Sequence, residues 1–302
     1  MRLQSTSSCI CTNLQSYMSD YTDIIVPDDD SYASDEDLKA VIEESLRDLD
    51  DTSSVHSEET MNTLSDIIPH LTSPVVLVTA NMGYVKLVQN LLNSIDQVGT
   101  KPTVVLVCED EIMYKYFQER QGVTVALTEF GKDITEEQEW LCDNFKDLAK
   151  RRIWHIYHLA RAGIDTLYLD ADTVWLQDPF PRLTGGFDIY VQQEENIPYC
   201  SGMFFIRATD PSLRMLTYWK EHVHEGEDLQ DQETYNEAIK VTKNLKVKKL
   251  PAYEFVGGEI YFKSITPWYE RPTKPVIVHA TWRIGVENKR KTLKECGIWF
   301  AE

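Results

Sequence analysis

The 302-residue sequence predicts an α/β fold: an open, mostly parallel twisted sheet with helices on both faces, preceded by a disordered acidic tail. Three observations carry that reading. From Pro74 to Asp170 apolar runs alternate with stretches of helical periodicity in the order β-α-β-α-β-α-β, as in a sheet built from crossover units. Two apolar runs, Leu167-Tyr168-Leu169 and Val276-Ile277-Val278, have no polar interruption, as expected of strands buried on both faces. The net charge of −19 is also unevenly placed: residues 1–70 hold 16 acidic and 3 basic residues, and the rest hold 33 and 27.

The division that follows is a tail over 1–72 and a folded domain over 73–302. The tail is rich in Ser, Thr and Asp and poor in aromatics, so it cannot bury enough apolar surface to offset the entropy of ordering. Within it, residues 35–49 form one amphipathic helix. Leu38, Val41, Ile42, Ser45 and Leu49 share a face, Ser34 or Asp35 caps the start, and acids crowd the first turn. Three acids, then Leu38, then Ser45 and an acid resemble a ubiquitin-interacting motif, with Val41 where that motif carries Ala. The resemblance implies ubiquitin as a partner. The plain alternatives are a helix docked on its own folded domain or a solvated acidic helix.

Residues 1–19 lack an apolar signal core, and no stretch reaches the ~18 apolar residues of a membrane span. None of the ten asparagines lies in a glycosylation sequon. A cytoplasmic protein is expected, with the Golgi as the alternative if an anchor precedes this sequence. No basic face for nucleic acid is evident. The six cysteines show neither zinc spacing nor a disulfide framework, and Cys108 and Cys200 read as small buried hydrophobes.

In the folded domain, Val75 to Val78 is a strand and residues 79–84 a turn. Val85, Val88, Leu91, Leu92 and Ile95 mark a helix packed on the sheet. Thr103 to Cys108 and Val123 to Leu127 are strands, separated by a helix over 111–120. A long helical region spans about 136–162 and stops at Ala162-Gly163. After the strand ending at Asp170 the pattern is less regular. Phe187 to Gln192 and Tyr199 to Arg207 read as strands, 213–222 as a helix, and Asp231-Gln232 opens another. Gly202 within a strand pattern suggests close approach of a ligand or of another backbone.

The chemistry starts at Asp170-Ala171-Asp172. Buried unpaired carboxylates are costly, so an apolar strand running into two of them implies a cation. In a regular strand residues i and i+2 point to one side, so both acids can address one ion from the carboxyl edge, where open α/β sheets bind ligands. His279 repeats the device at the end of the second apolar run. Two metal chemistries fit. One is phosphoryl transfer of the haloacid-dehalogenase type, with Asp170, Asp172 and Thr173 as Asp-x-Asp-x-Thr; the other is sugar transfer from a nucleotide-sugar. The first needs its acidic strand early in the domain and an acidic loop later, and neither is found. There is no Gly-x-Gly-x-x-Gly and no Walker loop.

Asn81, Asp170-Ala-Asp172 with Asp178-Pro179, Ser201-Gly202-Met-Phe-Phe-Ile-Arg207, Asp231-Gln232 with Asn236, and His279-Ala280 with Gly285, Lys289 and Gly297-Ile-Trp299 occur in that order. The series resembles the nucleotide-diphospho-sugar transferase domain of glycosyltransferase family 77 over about residues 73–302. It departs from that family in having Ser201-Gly202 for a commoner Asn-Thr-Gly and Thr281 for a common Asn.

The resemblance implies a GT-A fold, a UDP-sugar donor, a glycan or protein acceptor, and a divalent metal, Mn²⁺ or else Mg²⁺. It also implies retention of anomeric configuration. The metal ligands are expected to be Asp170, Asp172 and His279, with an imidazole that suits Mn²⁺ better than Mg²⁺. Thr79, Ala80 and Asn81 are expected at the uracil and ribose, with Asp170 shared, Gly202 beside the donor and Lys289 at the diphosphate. Asp231 is expected at the anomeric carbon and Gln232 on the sugar. For Asp231-Gln232 the plain alternative is helix capping; for His279 it is a satisfied core histidine. A further alternative is an acidic ubiquitin-binding adaptor that keeps the transferase fold without catalysis.

Overall fold

The structure is a computed structural model that describes residues 61–131, 134–139, 142–193, 198–223, 231–263 and 267–301. The chain divides after Ser57, and the unit Glu58–Glu302 contains everything described. The helix expected over 35–49 lies outside the described residues, so its proposed ubiquitin contact does too.

The elements in order are α1 (Leu64–Ile67), β1 (Val75–Ala80), α2 (Val85–Val98), β2 (Thr103–Cys108), α3 (Glu111–Phe117), β3 (Val123–Leu127), α4 (Asp143–Arg161), β4 (Thr166–Leu169), β5 (Thr173–Trp175), β6 (Ile189–Val191), β7 (Met203–Ile206), α5 (Asp210–His222), α6 (Asp231–Val241), β8 (Val247–Lys249), β9 (Phe255–Gly257), α7 (Gly258–Tyr261), β10 (Ile277–His279) and α8 (Val286–Glu295). The main sheet has seven strands in the order β3-β2-β1-β4-β7-β6-β8. β1 pairs parallel with β2 and β4, β2 with β3, and β6 with β8. Only β7 runs against the others, pairing antiparallel with β4 and β6. The expected mostly parallel sheet with helices on both faces is what the chain forms.

The reversal of β7 positions the site. Leu169 at the carboxyl end of β4 sits opposite Met203 at the start of β7. Ser201-Gly202 is therefore delivered beside Asp170, whose N–H donates to the Gly202 carbonyl at 2.8 Å. A second sheet, β5-β10-β9, does the same for His279. β10 is antiparallel to β5 with His279 opposite Thr173, one residue past Asp172. Strands β1, β2 and β4 bury nearly every side chain, as their unbroken apolar runs require. One apolar cluster fills the face under α4, α5 and α6, and another packs around β5, β10 and α8.

Three expectations are corrected. Residues 61–72, assigned to the tail, hold α1 with Leu64 and Ile67 buried in the main core, and the Asn62 carbonyl accepts from Leu127 N–H at 2.8 Å. Leu64, Ile67, Ile68 and Leu71 follow helical spacing, a signal masked by the Ser/Thr/Asp composition around them. The long helix begins at Asp143, not 136. Residues 134–139 instead cover the end of β1: Asn81 Nδ2 donates to the carbonyls of Ile134 (2.6 Å) and Glu136 (2.9 Å). A Cβ on Gly83 would collide with the Glu137 backbone. Finally, the strand expected over 199–207 starts only at Met203, since residues 201–202 form a turn at the site.

Candidate active site

The two aspartates do not meet by strand alternation. The chain turns after β4, with Thr173 donating both its N–H (3.1 Å) and its Oγ1 hydroxyl (2.8 Å) to the Asp170 carbonyl. That turn, and not a pleat, brings Asp170 and Asp172 to one side. It also commits the Thr173 hydroxyl, the third member of the phosphatase pattern, to the backbone. His279 Nε2 lies 3.2 Å from Asp172 Oδ1 and 3.7 Å from Asp170 Oδ2. Candidate ligand atoms of Asp170, Asp172 and His279 all fall within 4.8 Å of one another. Lys289, from α8, places Nζ 2.6 Å from Asp172 Oδ2.

The charges are arranged accordingly. Asp172 is almost fully buried, which by itself raises a carboxyl pKa, but Lys289 and His279 outweigh burial and hold it well below the usual range. Burial lowers the His279 imidazole, and Asp172 outweighs that, leaving its pKa well above the ordinary value. Asp170 is the open member, its side chain 31% exposed against 8% for Asp172.

On the other side of Asp170 stands Arg152, from α4. Its Nη1 donates to Asp170 Oδ1 at 2.8 Å, and its Nη2 to Ser201 Oγ at 2.9 Å and to Asp231 Oδ2. Despite burial, Asp231 and Asp170 keep this guanidinium firmly charged. The Tyr168 hydroxyl also donates to Asp170 Oδ1 at 2.8 Å and stands 3.4 Å from Thr79 Oγ1. Burial, then Asp170, pushes the phenol pKa far up, so it stays a donor. Asp231 opens α6; its carbonyl accepts from Trp219 Nε1 at 2.9 Å, and Gln232 Oε1 accepts from Ser201 N–H at 3.1 Å. Gly202 leaves the space between the halves open, since a Cβ there would collide with Asp170 Oδ2 and the His279 ring.

The structure thus gathers Asp170, Asp172, His279, Lys289, Gly202, Asp231 and Gln232 at one strand-edge site. The residues at the end of β1 are placed differently. Ala80 is buried, Thr79 faces Tyr168, and the Asn81 amide is committed to the 134–136 backbone, although its Oδ1 is buried without a hydrogen-bond partner. Sequence reasoning missed Arg152 and gave Tyr168 and Ser201, though both lie in motifs it quoted, no role at the site. For Arg152 a signal existed: it lies four residues before Ile156 and seven before Leu159, a charge on the stripe that faces the core.

Donor chemistry gives a direct test of whether a divalent ion suits this cluster. Two hard carboxylates and one imidazole converge, Gly202 keeps side-chain bulk out, and a cation entering would displace the proton that Asp172 holds on His279. That donor set fits a divalent metal ion.

An open α/β sheet with an acidic and imidazole cluster at its strand ends, faced by a second carboxylate on an arginine, is the architecture of a group-transfer enzyme. The chain belongs to the nucleotide-diphospho-sugar transferase family, whose model matches residues 100–293, and it is therefore a glycosyltransferase. Over 256 residues it is 27% identical to UDP-D-xylose:L-fucose alpha-1,3-D-xylosyltransferase 3 of Arabidopsis thaliana, covering 76% of this chain and 67% of that protein. It is 22% identical to UDP-galactose:fucoside alpha-3-galactosyltransferase of Dictyostelium discoideum over 278 residues, 74% of this chain and 43% of that one. Among solved structures it is similar to the glycosyltransferase GlyE of Streptococcus pneumoniae TIGR4, with TM-score 0.49 and 14% identity over 70% of this chain and 56% of the other. The phosphatase alternative falls with the family assignment.

Proposed function

We propose that the protein transfers a pentose or hexose from a UDP-sugar to a glycan acceptor, with retention of configuration and dependence on Mn²⁺. The observation that carries this is the pairing of two carboxylate sites across Asp170: Asp172 with His279 and Lys289 on one side, Asp231 with Arg152 on the other. Asp170, Asp172 and His279 would hold the ion. When bound, it supplies Lewis-acid neutralisation of charge on the diphosphate. Lys289 adds a positive charge at the same leaving group.

Asp231 offers a fixed anion on the far side, suited to stabilising positive charge at an anomeric carbon. Arg152 holds that carboxylate aimed, at a set distance from Asp170. Gln232 and Ser201 fix the turn beside Gly202, where the donor sugar would lie. The Arabidopsis and Dictyostelium relatives are named for xylose and galactose donors and for fucose-containing acceptors, so UDP-xylose, UDP-galactose and a fucoside are the first compounds to try.

The test is donor hydrolysis and transfer by the purified full chain, with and without Mn²⁺, followed by NMR of the product's anomeric proton. Metal-dependent release of UDP with an α-linked product is expected. Turnover unaffected by chelation, or a β-linked product, would overturn this reading.

A further inference from the structure

Gln192 directly follows the last residue of β6 and is completely buried. Its side chain bridges the two sheets. Nε2 donates to the Phe255 carbonyl at 3.5 Å, and Oε1 lies 3.1 Å from His279 Nδ1. The amide cannot be turned over without aiming its NH₂ at the ring and its oxygen at another carbonyl oxygen. Its backbone is pinned as well, since the Gln192 carbonyl accepts from Cys200 N–H at 3.0 Å. An amide oxygen is only an acceptor. A bare lone pair on Nδ1 would face it across 3.1 Å, so Nδ1 must carry the proton and donate. Nε2 is then the nitrogen left to face Asp170 and Asp172. Cys200 Sγ, 3.6 Å from Nδ1, is a weak donor and a weak acceptor, and the shorter contact with Gln192 Oε1 decides the assignment.

We propose that Gln192 is the positioning residue of the metal centre: it fixes the tautomer and the orientation of His279 so that Nε2 is presented as a ligand. This rests on the metal reading proposed above. Partners of this kind, one bond behind a ligating histidine, typically contribute ~10–100-fold to metal affinity. The proposal also explains why a glutamine with no exposed atom sits at the seam between the sheets, where an apolar residue would pack without needing a partner.

The test titrates the full-length protein with Mn²⁺, following free ion by electron paramagnetic resonance, for wild type, Gln192→Met and Gln192→Glu. Gln192→Met keeps the volume and removes the acceptor, and should weaken Mn²⁺ binding by about 10–100-fold. Gln192→Glu keeps an acceptor opposite Nδ1 and should bind Mn²⁺ more tightly than Gln192→Met while being the less thermally stable of the two, because it buries a charge. In protein labelled with ¹⁵N-histidine and loaded with diamagnetic Zn²⁺, His279 should show a protonated Nδ1. Equal Mn²⁺ affinity of Gln192→Met and wild type, an affinity order that follows thermal stability, or a proton on Nε2 would overturn the role of Gln192 alone. Failure of wild type to take up Mn²⁺ would overturn the metal reading, and this role with it.

Discussion

Two consecutive residues of α4, Arg151 and Arg152, are each buried against carboxylates, and the two clusters they build have opposite characters. Arg151 meets Glu109 at 3.1 Å and Asp147 at 2.9 Å, while His155 takes the second Glu109 oxygen at 3.1 Å. The Phe130 ring lies over the arginine at 5.5 Å. Both Glu109 oxygens are used, and the Glu109, Arg151 and His155 side chains are only 2–5% exposed. Arg152 meets Asp170, Asp231 and Ser201, and Asp170 continues the cluster to His279 at 3.7 Å and so to Asp172, but Asp170 remains 31% and Asp231 15% exposed. The first cluster uses both oxygens of its buried acid, leaves only Asp147 at its rim with 45% of its side chain exposed, and ties α4 to the end of β2. The second has acceptor capacity left over and opens at the strand ends. Residue type does not separate a structural network from a site here; both contain acids, an arginine and a histidine. Saturation separates them.

Mutating each cluster should therefore move different observables. The largest effect is expected from Asp172→Asn, which removes a metal-side anion while keeping the shape. UDP-sugar turnover in Mn²⁺ should drop on the order of 10³-fold, while the circular dichroism spectrum is unchanged. If activity persists, the open cluster is not the metal centre.

Next is Arg151→Met in the closed cluster. Leaving Glu109 buried without its cation should cost about 3–5 kcal/mol in urea unfolding. Turnover per folded molecule should stay near wild type; a selective loss of turnover would erase the distinction between the clusters.

Arg152→Lys sharpens the distinction, because it keeps the charge and loses the fork that spans Asp170 and Asp231. A fall in kcat of about 10²-fold, with UDP affinity preserved, is the signature expected from misplacing a reacting group by an ångström. A stability loss with kcat intact would assign Arg152 to the structural class.

The smallest effect is on pH. Asp172 is depressed in the fold, so its contribution is complete above its unfolded pKa near 4 and is lost as pH falls below that. His279 is raised, so its contribution is complete below about 6.5 and is lost as pH rises. With chelator present, stability should fall on both sides of that window, on the acid side by up to ~1.4 kcal/mol per pH unit. Asp172→Asn should flatten both limbs; an unchanged acid limb would place the pH dependence elsewhere.

The sequence made one of these clusters legible. Asp170, with Asp172 two residues on, and His279 each follow an apolar run, and that contrast of polarity is visible without coordinates. The parallel half of the sheet was legible for the same reason, since its strands are long and buried on both faces. Arg152 was not singled out because its place on the core-facing stripe marks it as buried but does not name the acids it meets, which lie 18 and 79 residues away. The loop over 134–139 read as helix because its composition is helical. The Asn81 amide and the lack of a side chain on Gly83 hold it elsewhere, and both act across more than fifty positions of sequence. The turn after β4 was hidden too, since Asp-x-Asp looks alike in a strand and in a bend.

The antiparallel register of β10 on β5 bears on how this protein is made. Asp172 is translated long before the groups that meet it: Lys289 lies 117 residues further along, and His279 arrives with one of the last strands. A chain emerging from the ribosome can complete β1 to β4 with Asp170 already paired to Arg152, while Asp172 still faces water with no cationic partner. On the metal reading proposed above, capture of the ion would wait until the small sheet has been threaded into place. Acquisition of metal would then report that synthesis has passed residue 279 and that the late strand has docked in register.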